Sequence, residues 1–236
     1  KRRVNHPLKL LLASNVSMRR AAIIMNISRT TVARKLRFLA DQCRHDLAQY
    51  WRESANIERW QFDELQTIEH SKCKPLSVAM AVAEKSRKIL GFEVSTMPAT
   101  GHLAAIARKK YGYRPDQRRK GLSRLFQSIQ TKVSERSHIV SDKCLPYRSL
   151  VQSHFPKAKY QQYKGEKGAI TGQGELKKVA KDPLFSINHT FAMLRANINR
   201  LIRKTWCTTK NPRCLADPLA IYAWIHNTSL TKAAIS

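Results

Sequence analysis

Trp60-Gln61-Phe62-Asp63-Glu64-Leu65 sets two acids inside an apolar stretch, and the way this stretch is read decides the fold. Its composition and alternation are those of a strand, so the run from Trp60 to Ile68 is expected to open a sheet. A second strand-like run, His138-Ile139-Val140-Ser141-Asp142, ends on another acid. A carboxylate directed from a buried strand into a polar crevice is costly unless it is paired or coordinates an ion. Oxygen-only ligation of this kind suits magnesium or manganese. Taken alone, Asp63 would as readily end or cap a strand; the rest of the chain argues for more.

Lys and Arg number 44 against 16 Asp and Glu, a formal charge of +28 on 236 residues. A positive field of this size attracts a polyanion, and phosphate neutralisation then supplies much of the affinity. Nucleic acid is therefore the first partner expected. A membrane is not, because the chain has no apolar run of about 18 residues and no apolar segment near its start. Cys43, Cys73, Cys144, Cys207 and Cys214 are odd in number and scattered, without a CxxC pair. That fits reduced thiols in a cytosol better than a disulfide framework or a zinc site. The sequence opens on Lys1 rather than Met, so further residues are expected upstream.

Two short helices are expected near the start. Ser17 caps the first, with Ala21 and Ile24 inward; Asn26-Ile27-Ser28 turns the chain; Ser28 caps the second, whose Val32, Leu36 and Leu39 fall on one face. With Leu8 to Ala13 as a supporting helix, this is a helix-turn-helix. The second helix begins with Arg29, Thr30 and Thr31, followed by Arg34 and Lys35, small, polar or basic residues suited to a major groove. Arg19 and Arg20 join them as expected DNA contacts. An ordinary three-helix packing module with a basic surface is the plainer alternative.

The helical pattern continues past Leu39 to a polar connector, Arg52 to Asn56, and then strands begin. Trp60–Ile68, Leu76–Val82 and Ile89–Val94 read as an antiparallel meander. A helix follows from His102 to Tyr111, then a very basic one from Pro115 to Val133, whose Arg118, Arg119 and Lys120 are expected phosphate contacts. After the strand ending at Asp142 come a helix from about Pro146 to Phe155 and a short strand at Tyr160–Tyr163. Lys164 to Lys178 is rich in Gly and Lys and reads as a DNA-gripping loop, with Lys177 and Lys178 among its cations. A long helix, Phe185–Thr205, and a last one opened by Asp217-Pro218 complete the chain.

Three strands, helix, strand, helix, strand, helix is the order of the ribonuclease H-like fold, an α/β (α+β) mixed sheet with flanking helices. In that fold the first and fourth strands lie side by side, which would bring Asp63 and Asp142 together. The domains expected are a small all-α helix-turn-helix domain at 1–45, a linker at 46–57, the catalytic domain at 58–210 and a C-terminal helix at 211–236.

On Phe62-Asp63-Glu64, Ser141-Asp142, Ile187-Asn188-His189 and the run from Leu194 to Thr205, the sequence resembles the DDE transposases of bacterial insertion sequences, of the insertion-sequence-one type or a close relative. The resemblance spans nearly the whole chain. It implies a polynucleotidyl transferase that binds double-stranded DNA at transposon ends, cuts it to leave a 3′-hydroxyl, and joins that hydroxyl to target DNA. It also implies two magnesium or manganese ions about 4 Å apart, bridged by Asp63 with Asp142 on one of them. A homo-oligomer, a dimer above all, in the bacterial cytoplasm or nucleoid is implied too, as is a zinc ribbon upstream of Lys1.

The family places an acid on the long helix with a Lys or Arg seven residues later. Here Arg195 lies seven residues after Asn188, so Asn188 occupies the acid's place and Arg195 the phosphate-positioning one. An amide oxygen can bind magnesium but adds no charge. Asn188 is ranked first as third ligand and Glu175, in the preceding loop, second; His189 is a further candidate for contact with the reacting phosphate. Two rival readings stay open: a transposase-derived DNA-binding regulator with weakened catalysis, and a ribonuclease H-type nuclease without strand transfer.

Overall fold

A computed structural model describes residues 2–164, 182–201 and 209–233. Three helices come first: α1 (Asn5–Leu12), α2 (Met18–Ile24) and α3 (Arg29–Glu53). Ser17 accepts the Arg20 N–H at 3.2 Å and Ser28 the Thr31 N–H at 3.1 Å, so both caps read from the sequence form. Residues 46–57 had been expected as a linker. Instead α3 is one helix as far as Glu53, and only 54–56 separate it from the sheet.

The sheet has five strands: β1 (Ile57–Glu69), β2 (Ser71–Ala83), β3 (Ile89–Thr96), β4 (Val133–Asp142) and β5 (Lys159–Tyr163). Its order is β3-β2-β1-β4-β5. β1, β2 and β3 form the antiparallel meander, while β4 runs parallel to β1 and β5 parallel to β4. This order and sense, with helices on both faces, make the fold ribonuclease H-like.

Alternation of side chains sends two residue sets to the two faces. Trp60, Phe62, Ala79, Ala81 and Ile139 pack under α5 (Arg118–Ile129) and α6 (Leu145–His154). Leu65, Val78, Met80, Val82 and Val140 pack under α7 (Phe185–Asn197) and α8 (Pro212–Ala233). Leu8, Leu39 and Cys43 of the first three helices join that second cluster, so α8 is sandwiched between them and the sheet. α4 (Leu103–Tyr111) follows β3.

Close approach of α5 to β3 depends on Gly121. A Cβ there would run into the Ser95 hydroxyl and lie 3.2 Å from Ser95 Cβ and 3.4 Å from Glu93 Cγ. Overpacking of this kind costs about 1–3 kcal/mol. Gly121→Ala is therefore expected to lower the urea midpoint by that equivalent, and Ser95→Gly in the same chain to restore most of it.

α7 and α8 depart furthest from the expected bounds, while α5 runs only Arg118–Ile129 where Pro115 to Val133 had been expected. α7 had been expected to reach Thr205, because Ile198 and Leu201 continue its apolar spacing and are indeed buried. It stops at Asn197, with Ile198 extended (φ −125°, ψ 101°) and a 3-10 turn at Asn199–Leu201. The cause is a competing contact: Asn15, at φ 61°, donates its N–H to the Asn197 carbonyl at 2.8 Å, and Asn199 Nδ2 donates to the Asn15 carbonyl at 2.7 Å. α8 had been expected to open at Asp217-Pro218. Pro212 takes the opening position instead, Asn211 Oδ1 accepts the Cys214 N–H at 2.9 Å, and Pro218 lies inside the helix.

Candidate active site

The β1–β4 ladder is in register at Phe62↔Ser141, one residue before each of the two acids. Ser141 Oγ meets Tyr160 OH at 2.7 Å and the Phe62 ring stacks 6.2 Å from that of Tyr160, which fixes these two on the α5–α6 face. Gln61 points the other way. Its Nε2 donates to the Pro183 carbonyl at 2.9 Å and its Oε1 accepts the Ile187 N–H at 3.1 Å, fastening the first turn of α7 onto β1. By alternation Asp63 and Asp142 share the α7 face, next to each other where β4 ends.

Their electrostatics are those of two carboxylates crowded into a partly dry place. Burial pushes Asp63 up from 3.8 to about 7; the charge of Asp142 adds to this, the Glu64 N–H, donated to Asp63 Oδ1 at 2.7 Å, opposes it, and the Glu64 charge adds a little. Burial also raises Asp142, with Glu64 contributing. Neither acid forms an ion pair with a Lys or Arg among the described residues. Asp142 Oδ1 is buried with no hydrogen-bond partner. An orphaned carboxylate oxygen beside a second, unneutralised carboxylate fits a hard divalent cation.

Glu64 belongs to the opposite face. Ser77 Oγ donates to it at 2.7 Å and Tyr147 OH at 3.0 Å. Burial and the charges of Glu64, Asp63 and Asp142 hold the Tyr147 phenol far above its ordinary range, so it stays a donor. Nothing in the sequence pairs Tyr147 with Glu64, since β4 separates them in the chain; the only signal was that Glu64 must find donors if β1 is buried on both faces.

The third position is less settled by acids. α7 carries none; among the described residues no three of His, Cys, Asp and Glu group as a metal site. Asn188 is exposed, and its Nδ2 donates to Asp182 Oδ2 at 2.8 Å while Asp182 Oδ1 accepts the Leu184 N–H at 2.9 Å. Asp182, passed over in the sequence because it lies ahead of the helix, thus closes the turn that leads into α7 and engages Asn188. Arg195 is exposed on the last turns of α7. His189 does not stand free toward a phosphate: Arg87 in the β2–β3 turn reaches its ring nitrogens at 3.1 Å, and burial and that cation hold its pKa low. Glu175, Lys177 and Lys178 lie outside the described residues.

Comparison with solved structures finds the Mos1 mariner paired-end complex with Mn, 11% identical at TM-score 0.36, covering 97% of this chain and 76% of that one. The catalytic domain of Mos1 mariner transposase is 12% identical at TM-score 0.31, covering 81% and 91%. The Mos1 paired-end complex with left transposon end is 13% identical at TM-score 0.29, covering 84% and 76%. No family model matches the sequence, and no curated protein does.

Of the residues read as DNA contacts, Arg19, Arg20, Arg29, Thr30, Arg34, Arg119 and Lys120 are exposed. Four others, Ser28, Thr31, Lys35 and Arg118, have prior engagements. Ser28 Oγ is held by Thr30 Oγ1 at 3.0 Å and Thr31 Oγ1 at 2.8 Å besides its cap, so the Ser28 and Thr31 hydroxyls serve the turn. Lys35 donates to Asn5 Oδ1 at 2.6 Å and ties α3 to α1. Arg118 closes on Asp116 through Nη2 at 2.6 Å and Nε at 3.0 Å. These partners sit thirty or two residues away, outside the helical period that exposed the cations.

Proposed function

We propose that this chain is a DNA transposase that binds the ends of an insertion sequence through the α2–α3 helix-turn-helix and performs metal-dependent cleavage and strand transfer with Asp63 and Asp142. The observation that carries the reading is the β1–β4 register, which sets those two acids side by side with Asp142 Oδ1 unsatisfied. Bound there, magnesium or manganese, as one ion or two, would supply an activated water and stabilise the leaving oxygen. Asp63 and Asp142 would hold the ion, and the Asn188 oxygen, with Asp182 orienting its amide, would be the third donor. Arg195 positions the phosphodiester. Water attacks phosphorus and the bond to the 3′ oxygen breaks, leaving a 3′-hydroxyl; that oxygen then attacks a target phosphodiester in line and displaces its 3′ oxygen.

Two ends must meet in one reaction, so the active species is a homo-oligomer, a dimer, in a bacterial cytoplasm. The absence of an acid on α7 favours one second reading, a regulator that binds ends without cutting them. Labelled element-end DNA with magnesium separates the two. Cutting that Asp63→Ala and Asp142→Ala each lower by 1,000-fold or more supports the transposase; binding without cutting in any divalent metal supports the regulator.

Reading by α3 makes a further prediction. Arg34 is exposed beside Thr30 on the face offered to DNA. Arg34→Ala is expected to weaken duplex binding and to reduce the slope of log affinity against log salt by about 1, as loss of one phosphate contact does. Fluorescence anisotropy at several salt concentrations measures both.

A further inference from the structure

Between the first three helices and the far end of α7 lies a cleft of about 590 Å³. Leu12, Val16, Met18 and Leu36 form its floor on one side and Ile198 on the other. Four cations from four segments ring it: Arg19 of α2, Arg29 of α3, Arg200 after α7 and Lys210 before α8. Among the described residues no acid lines it, and Arg19, Arg29 and Lys210 form no ion pair. The exchange of hydrogen bonds between Asn15 and Asn197 with Asn199 fixes one wall against the other, so the cleft is preformed.

A free phosphate would use the ring and gain nothing from the floor; an apolar ligand would use the floor and leave the cations idle. A nucleotide has both parts, a flat base to cover apolar surface and phosphates to meet cations. Arg29 belongs to the face offered to a duplex and to this ring at once, so the cleft opens beside the duplex. A base that stays paired cannot enter a space of this size. It must leave the stack, at a cost of a few kcal/mol that a mismatched or unpaired base largely avoids.

We propose that this cleft takes one nucleotide out of the duplex bound by α2 and α3, its base against the Val16, Met18 and Ile198 floor and its flanking phosphates held by Arg19, Arg29 and Lys210. The proposal rests on the DNA-binding reading above. It gives the catalytic half of the chain a share in holding the end, through Ile198 and Lys210, on the far side of α7 from the first turn that Gln61 anchors.

The test uses the full chain and two duplexes of one sequence, one fully paired and one with a single unpaired 2-aminopurine. Tighter binding of the bulged duplex by 10-fold or more, with a rise in 2-aminopurine fluorescence, supports the site. Val16→Trp fills the cleft and is expected to abolish that preference while the paired duplex still binds. Lys210→Glu, on the exposed rim, is expected to reduce it without entering the core, and guards against a Val16→Trp chain that fails to fold. Equal affinity for both duplexes, or a preference that both variants keep, overturns the site and leaves DNA binding standing. Binding of neither duplex overturns both.

Discussion

Asp63→Asn is expected to abolish DNA cleavage and, in the same protein, to stabilise the metal-free fold at pH 8. The carboxyl ionises near 3.8 in the unfolded chain and near 7 in the folded one. Between those values the folded state holds the extra proton, so this group's contribution to stability is fully present below pH 4 and is lost as pH rises through 7. A shift of that size corresponds to roughly 4 kcal/mol, of which Asn should recover on the order of 2–4. Urea unfolding in chelator at pH 4 and pH 8 measures it. The parent should weaken across this window, the variant much less, and the variant should be the more stable at pH 8. Added magnesium should stabilise the parent and not the variant, because an ion does for the two carboxylates what the amide does without one. A variant less stable than the parent at pH 8, or an unchanged slope, would show that Asp63 is neutralised by some other group.

The same crowding explains what could be read from residues alone. The strand signal in Trp60–Leu65 and in His138–Asp142 is aromatic and β-branched content rather than clean alternation, because both strands are central and buried on two faces. Which strands pair is a long-range matter, and neither stretch carries it; the ribonuclease H-like order supplied it. Helix ends were less legible for a related reason. Ile198 and Leu201 keep the period of α7 although the helix has ended, since burial alone makes a residue apolar and Asn15, far upstream, decides where the turn is. Pro218 resembled a helix start because Pro is favoured there, but Pro212, with Asn211 capping behind it, fills that role. At the site, Asp63 and Asp142 stand out as acids in strands. Asp182 and Tyr147 do not, because their roles exist only through partners supplied by the fold.

Arg44→Met is expected to be far more damaging than Asp217→Ala, although both break one ion pair. Arg44 Nη2 meets Asp217 Oδ1 at 2.7 Å, joining α3 to α8, and the two side chains are 37% and 4% exposed. Removing Asp217 leaves a guanidinium that still has Asp41 at 2.7 Å and water around it. Such a loss costs about 1 kcal/mol. Removing Arg44 leaves a carboxylate buried in α8 with its cation gone, which costs about 3–5 kcal/mol. The double variant, lacking the buried charge as well, should return close to Asp217→Ala. Urea midpoints of the three variants test this order, and equal single effects would contradict it. On the proposed function the pair also bears on DNA handling, since α3 would read the duplex and α8 rests on the sheet that carries Asp63. In Arg44→Met the reading face keeps its own residues but loses its fixed angle to the acids. End cleavage should therefore fall more than duplex affinity, and a matched fall in both would mean that α3 orients the DNA without help from α8.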